Sequence, residues 1–338
     1  MLWLSNLRSS SFLLSLCLGL ALVGATASPA LAQSVAANST QSWPQRPLRL
    51  LVGFVAGGPV DSIARIVASR LPHYLGQPVV VENRPGADAS IAMEVVAKAA
   101  PDGYTLYLLQ PGVSINPPLY GKVPFDPLRD FAPIVMIGES PNLVVINPGV
   151  PANTLREFLA LARANPGKYF YGATSSPTLL ATELLNNLAG VQTVRVPFKG
   201  ASPAFTAVMA GDVQLVISGI GTLLPLARGG KVKGLAVTGL RRSALAPEIP
   251  TVDESGVSGY SATTWYGLAA PGATPRPIVD RINAEMHKLL AEPEIRAQLR
   301  VQGVDEPRPG TPEQLMELVR SELVKWERVV KSSGAKAE

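Results

Sequence analysis

After Pro47 the chain switches repeatedly between two hydrophobic periods. Leu48, Leu50, Val52 and Phe54 alternate with Arg49, Leu51 and Gly53. This nearly continuous apolar run predicts a buried parallel strand over 48–55. Ile63, Val67, Leu71 and Leu75 then recur every four residues and predict a helix over 61–74 with one apolar face. The same switching predicts a strand at 78–81, a helix at 91–100 stopped by Pro101-Asp102-Gly103, and a strand at 104–109.

The pattern resumes further on. Thr154-Leu-Arg-Glu157 has capping-box spacing and opens a helix that stops near Asn165-Pro166-Gly167. Strands are predicted at 169–173, 193–196, 214–217 and 233–237, with helices at 179–188, 203–210 and 223–227 between them. A strand at 263–269 precedes two closing helices, one at 278–290 and one opened by Thr311-Pro312-Glu313-Gln314, with proline in its first turn. Strand–helix alternation of this kind predicts α/β layers with parallel sheets. Two sets of strands, parted near Asn147-Pro148, predict two lobes.

The first 42 residues read differently. Arg8 is the only charge ahead of a 14-residue apolar run, Phe12 to Ala25, and Ala30-Leu31-Ala32 offers small residues where a signal peptidase cuts. Residues 1–32 are therefore expected to be a secretory signal peptide, cleaved after Ala32. The run is too short for a membrane anchor, which needs roughly 20 residues. Cys17, preceded by Leu16 rather than a small residue, does not have the setting of an acylation site. The mature protein is expected to be soluble and periplasmic.

Composition narrows the function classes. Cys17 is the only cysteine and leaves with the leader, so the mature chain must rest on its core rather than on disulfides. The formal net charge is +5, one fewer once Arg8 is removed, and the basic residues are scattered without aromatic interleaving. That argues against nucleic acid as a partner and for small anions. The two histidines, His73 and His287, sit in separate helices, and no metal-spaced cluster, G-x-S-x-G elbow or Walker loop is present. No catalytic residue, metal or cofactor is expected.

What recurs is strand–turn–helix with Gly, Ser or Thr in the turn. The cases are Phe54-Val-Ala-Gly-Gly-Pro-Val-Asp61, Ala173-Thr-Ser-Ser-Pro-Thr178 and Phe198-Lys-Gly-Ala-Ser-Pro203. A helix N-terminus presents unpaired N–H groups and the positive end of a dipole. Several converging in one cleft hold a carboxylate without any catalytic group.

Particular segments then carry a resemblance. They are Trp43-Pro-Gln-Arg-Pro-Leu-Arg-Leu-Leu-Val-Gly-Phe54, Glu82-Asn-Arg-Pro-Gly86, Pro101-Asp-Gly-Tyr-Thr-Leu106, Phe125-Asp-Pro-Leu-Arg-Asp-Phe-Ala-Pro133 and Val196-Pro-Phe-Lys-Gly200. Through them the chain resembles the substrate-binding proteins of tripartite tricarboxylate transporters, the Bug family, over nearly all of its mature length. The resemblance implies a Venus-flytrap periplasmic binding protein, each lobe a mixed, mostly parallel sheet flanked by helices. Lobe one would combine 44–143 with 264–336, and lobe two would be 144–263. It implies a small organic acid ligand, membrane permease subunits as partners, and a monomer. Carried over by position, the ligand contacts are Phe54, Ala56, Gly57, Gly58 and Asp61 in the first turn, and Asp88, Ala89 and Ser90 after Arg84-Pro85-Gly86. Lobe two would add Ser175, Ser176, Thr178, Lys199, Gly200 and Ser218.

Departures from the family pattern bear on the ligand. Gly86-Ala87-Asp88-Ala89 stands where the family has Gly-Ala-Gly-Gly, and Ile217-Ser218-Gly219 where it often has Phe-Asp-Asn. Without that lobe-two acid, a mono- or dicarboxylate is expected rather than an amino acid, since an unpaired buried ammonium is costly. The alternatives are a receptor that presents its ligand to a membrane sensor kinase, and an exported α/β enzyme using cleft carboxylates.

Overall fold

The computed structural model describes residues 43–198, 200–305 and 307–336. The predicted leader, 1–32, and Lys199 lie outside the described residues. Among the described residues no helix is long and apolar enough to cross a membrane.

The first sheet holds β1 (Leu48–Val52), β2 (Val79–Asn83), β3 (Thr105–Leu109), β4 (Phe131–Ser140) and β10 (Thr264–Pro271), in the order β2-β1-β3-β10-β4. The second holds β5 (Asn142–Ile146), β6 (Phe170–Ala173), β7 (Val194–Pro197), β8 (Leu215–Gly219) and β9 (Lys233–Val237), in the order β7-β6-β8-β5-β9. In each sheet a parallel trio is followed by one strand antiparallel to both its neighbours, β10 in the first and β5 in the second. The fold is a two-lobed α/β architecture with a mixed sheet in each lobe. The chain leaves the first sheet at Ser140 and enters the second at Asn142, so it crosses at Pro141. The crossing precedes the expected parting near Asn147-Pro148, because the apolar run Leu143–Ile146 forms part of the fully buried β5 of the second sheet.

Ten described helices flank these sheets: α1 (Pro59–Leu75), α2 (Ser90–Ala97), α3 (Gly112–Tyr120), α4 (Leu155–Ala164), α5 (Ser176–Ala189), α6 (Ala201–Ala210), α7 (Ile220–Arg228), α8 (Arg276–Ala291), α9 (Pro293–Val301) and α10 (Pro312–Ser333). Their ends follow local chemistry. Thr154 Oγ1 accepts the Glu157 N–H at 3.2 Å and starts α4. Thr311 and Gln314 exchange the two bonds of a capping box and start α10. Gly76, left-handed at φ 74°, closes α1 by donating to the Pro72 carbonyl.

Four elements carry no sequence expectation: α3, β4, β5 and α9. β4 contains Pro133, which a sheet tolerates because β4 is an edge strand paired only with β10. α3 begins at a glycine and carries Pro117 and Pro118 inside it, poor helix chemistry on its own. Packing overrides it. Ile115 and Leu119 are buried in the core of the second sheet together with Trp326 and Val329 of α10. Leu315 and Val319, earlier on α10, are buried in a core of the first sheet. Helix α10 therefore contributes to the cores of both lobes.

Candidate functional site

Five helices begin at one cleft between the sheets. Pro59 and Val60 of α1, Gly112 of α3, Pro177 and Thr178 of α5, Ala201 of α6, and Gly221 and Thr222 of α7 all line a cavity of about 490 Å³. Those of α1, α5 and α6 come from the ends of the three predicted strand–turn–helix units, and α3 after β3 and α7 after β8 repeat the unit. A helix N-terminus favours an anion by about 0.3–1 kcal/mol at a surface and more when partly buried. The cleft wall also carries apolar surface from Phe54 and Tyr266. Burial pushes the Tyr266 hydroxyl up to about 12, so it stays neutral.

The predicted contacts divide into three groups. Phe54, Asp88, Ser175, Thr178 and Ser218 line the cleft together. Ser176 lines a smaller adjoining pocket of about 130 Å³, again with Asp88. Ala56, Gly57, Gly58, Asp61, Ala89, Ser90 and Gly200 do not line the cleft: Ala56 and Gly57 sit on an exposed turn, and Asp61, Ala89 and Ser90 are buried.

The first turn pairs two of the expected contacts with each other. Asp61 and Gly57 are expected to face a ligand; in the structure they face each other. The Gly57 N–H donates to Asp61 Oδ2 at 2.8 Å, Arg65 Nε donates to the same oxygen at 2.8 Å, and Asn83 Nδ2 donates to Oδ1 at 2.9 Å. With 2 % of its surface exposed, Asp61 has no room for a further partner. The Arg65 hydrogen bond, with those of Gly57 and Asn83, holds its carboxyl at about 2, overriding the upward push of burial. Asp61 is a brace behind the turn.

The second-lobe turn is held by hydroxyls. Thr178 Oγ1 accepts from the N–H groups of Thr174 at 3.2 Å and Ser175 at 3.1 Å, and donates to the Ser175 carbonyl at 3.0 Å. Asp88 reaches this turn from the other lobe. Its Oδ2 accepts from Ser176 Oγ and, at 3.1 Å, from the Tyr120 hydroxyl. Asp88 is presented by an unusual backbone: Ala87, Asp88 and Ala89 have φ of 47°, 47° and 69°. Left-handed non-glycine residues cost about 1 kcal/mol or more each. Asn116 supports the loop by donating to the Asp88 carbonyl and to Ser90 Oγ, both at 2.9 Å. Gly53 accommodates it, because a Cβ there would lie 2.2 Å from the Cβ of Ala89.

Two cleft residues are not among the expected contacts. Gln110, 6 % exposed, has an unpartnered Nε2, and Asn116, fully buried, has an unpartnered Oδ1. Both line the cleft. Buried polar atoms are nearly always paired, and Gln110 also faces the buried Tyr107 hydroxyl. The signal was the third strand followed by Gln110-Pro111-Gly112, the same strand–turn–helix unit read elsewhere. Among the described residues no group of three His, Cys, Asp or Glu is arranged to hold a metal.

Comparison with known proteins bears on this cleft. The family model described as tripartite tricarboxylate transporter family receptor matches residues 63–335. Protein BugT of Bordetella pertussis is 33 % identical over 306 residues, covering 88 % of this chain and 92 % of BugT. The structure of Rpa4515 from R. palustris with adipate is 34 % identical, with a TM-score of 0.75, over 87 % of this chain and 99 % of that one. MatC from Rhodopseudomonas palustris with bound malate is 34 % identical, with a TM-score of 0.72, over 85 % of this chain and 100 % of that one.

Proposed function

Because the chain belongs to the tripartite tricarboxylate transporter receptor family, we propose that this solute-binding protein takes a small organic carboxylate between its lobes and hands it to membrane permease subunits. The observation that carries the reading is the convergence of five helix N-termini on one cleft, with the buried Gln110 Nε2 offering a further donor. Relatives with adipate and malate fit a carboxylate ligand. Phe54, Gln110, Asn116, Ser175, Thr178 and Ser218 form the contact surface in this reading, with Asp61 and Gly57 bracing the wall behind it. The cleft closes as the lobes turn about Pro141 and the stretch near 260–264. The protein works as a monomer in the periplasm and turns nothing over.

Mass spectrometry of ligand released from the purified protein tests the ligand class, followed by a thermal-shift screen of organic acids. A ligand present at 100 times its Kd stabilises the fold by about 2.7 kcal/mol, which a melting curve resolves. A released compound lacking any carboxylate, with no acid in the screen raising Tm, would reject the reading.

A further inference from the structure

One of the predicted ligand contacts is already occupied by the chain itself. The Ser176 hydroxyl, at the first residue of α5, donates to Asp88, whose carboxylate comes from the opposite lobe. Tyr120 adds a second hydroxyl to the same oxygen at 3.1 Å. The loop holds Asp88 there through three successive left-handed residues, pinned from behind by Asn116. A carboxylate fixed in this way sits in the wall of the cleft, and a second carboxylate brought close to it is repelled.

The neighbouring atoms make the same demand. Asn116 Nδ2 is committed to the Asp88 carbonyl and Ser90, which fixes the amide so that its unpartnered Oδ1 is the acceptor. Asn116 is fully buried behind Asp88 and belongs to the residues around the cleft. The hydrogen bonds of the Asp88 carboxylate end on Oδ2. The Asp88 carboxylate keeps acceptor capacity beyond these two bonds, and a donor complements it. The opposite requirement comes from Gln110, whose buried Nε2 has a hydrogen to give, and from the converging helix N-termini.

We propose that Asp88 sets the ligand class: the cleft selects an acid with one carboxylate and, at its other end, a hydrogen-bond donor, in preference to a dicarboxylate of the same length. The inference rests on the carboxylate reading of the cleft and sharpens it. A hydroxyl and an ammonium both meet the demand, and they are separated by experiment.

The test is calorimetry on the full mature chain with matched probes: adipate, 6-hydroxyhexanoate and 6-aminohexanoate, and the corresponding four-carbon set of succinate, 4-hydroxybutyrate and 4-aminobutyrate. The wild type is expected to bind the better donor-ended member of a set at least tenfold more tightly than its dicarboxylate. Asp88→Asn keeps the shape and removes the charge, and should shrink that preference below about threefold. If the natural donor is an ammonium, the amino acid arm loses most; if a hydroxyl, the dicarboxylate arm gains most. Asp88→Gly, which also relieves the left-handed backbone, should repeat the change, and circular dichroism checks that both variants fold. A wild type that prefers the dicarboxylates, or a preference that survives both substitutions, overturns the role of Asp88 and leaves the carboxylate reading standing. Failure of every probe to bind any variant, with no acid in the wider screen binding either, rejects the carboxylate reading and this inference with it.

Discussion

The corner between β1 and α1 is held by charge, and the corner between β6 and α5 by hydroxyls. Both are strand–turn–helix units facing one cleft from opposite lobes. In the first, a buried carboxylate gathers an arginine, an asparagine amide and a backbone N–H. In the second, a single threonine hydroxyl ties the turn together. The difference shows that helix N-termini alike in sequence are not alike in availability. The charged brace takes up the Gly57 N–H that would otherwise meet an anion. The neutral brace leaves the Ser176 hydroxyl outside its own network, where a carboxylate from the other lobe captures it.

The largest expected effect comes from removing the charge. Asp61→Ala leaves the Gly57 N–H without its acceptor and takes one of two acceptors from the Asn83 amide, and should cost about 3 kcal/mol, read from urea unfolding. Arg65, more than half exposed, turns to water and keeps the loss at the low end of buried-pair values. A loss under about 1 kcal/mol would mean that the turn holds its shape without its brace.

Gln110→Leu comes next and acts on binding. It removes an unpartnered buried donor, so folding stability should hold or rise. Affinity for the bound acid should fall about tenfold, or 1.4 kcal/mol, by calorimetry. Unchanged affinity would return the donor role to the turns. Thr178→Val removes the hydroxyl brace and should cost about 1 kcal/mol, the ordinary value of a helix cap. A cost equal to that of Asp61→Ala would erase the contrast between the corners.

The smallest effect at neutral pH is the most diagnostic. The Asp61 carboxyl is held at about 2, below its ordinary 3.8. Its contribution to stability is therefore complete above 3.8 and is lost as pH falls through about 2. The amide resonance of Gly57 should titrate in that acid window and stop titrating in Asp61→Asn. A resonance that moves nearer pH 4 would show that the brace is weaker than the geometry indicates.

Much of the architecture was legible where each element carries its own period. The alternation at Leu48–Val52, the four-residue spacing through Ile63 and Leu75, and the caps at Thr154 and Thr311 are local signals, and the structure follows them. What stayed hidden depends on distant partners. α3 is helical despite its glycine and prolines because Ile115 and Leu119 find Trp326 and Val329, some 200 residues away in the chain. β4 escapes notice because only its edge position makes Pro133 acceptable. In the cleft, the turns at Phe54 and Ser175 were readable as motifs. That Asp61 would turn inward and Asp88 would cross to Ser176 depends on side-chain geometry that spacing does not carry. Gln110 lies on the turn after β3 and Asn116 in the Ile115-Asn-Pro segment, but spacing marks neither as a contact; they stand out only once their burial and missing partners are seen.

The two-core helix α10 has a consequence in time. A polypeptide appears from its N-terminus, whether from a ribosome or from a translocation channel. β1, β2 and β3 emerge early, yet the strand that seats between β3 and β4 is β10, which ends only at Pro271. The core of the second sheet waits longer still, for Trp326 and Val329. Neither half can be finished until α10 has emerged, so the fold commits late. The topology that wraps a cleft thus also acts as a clock.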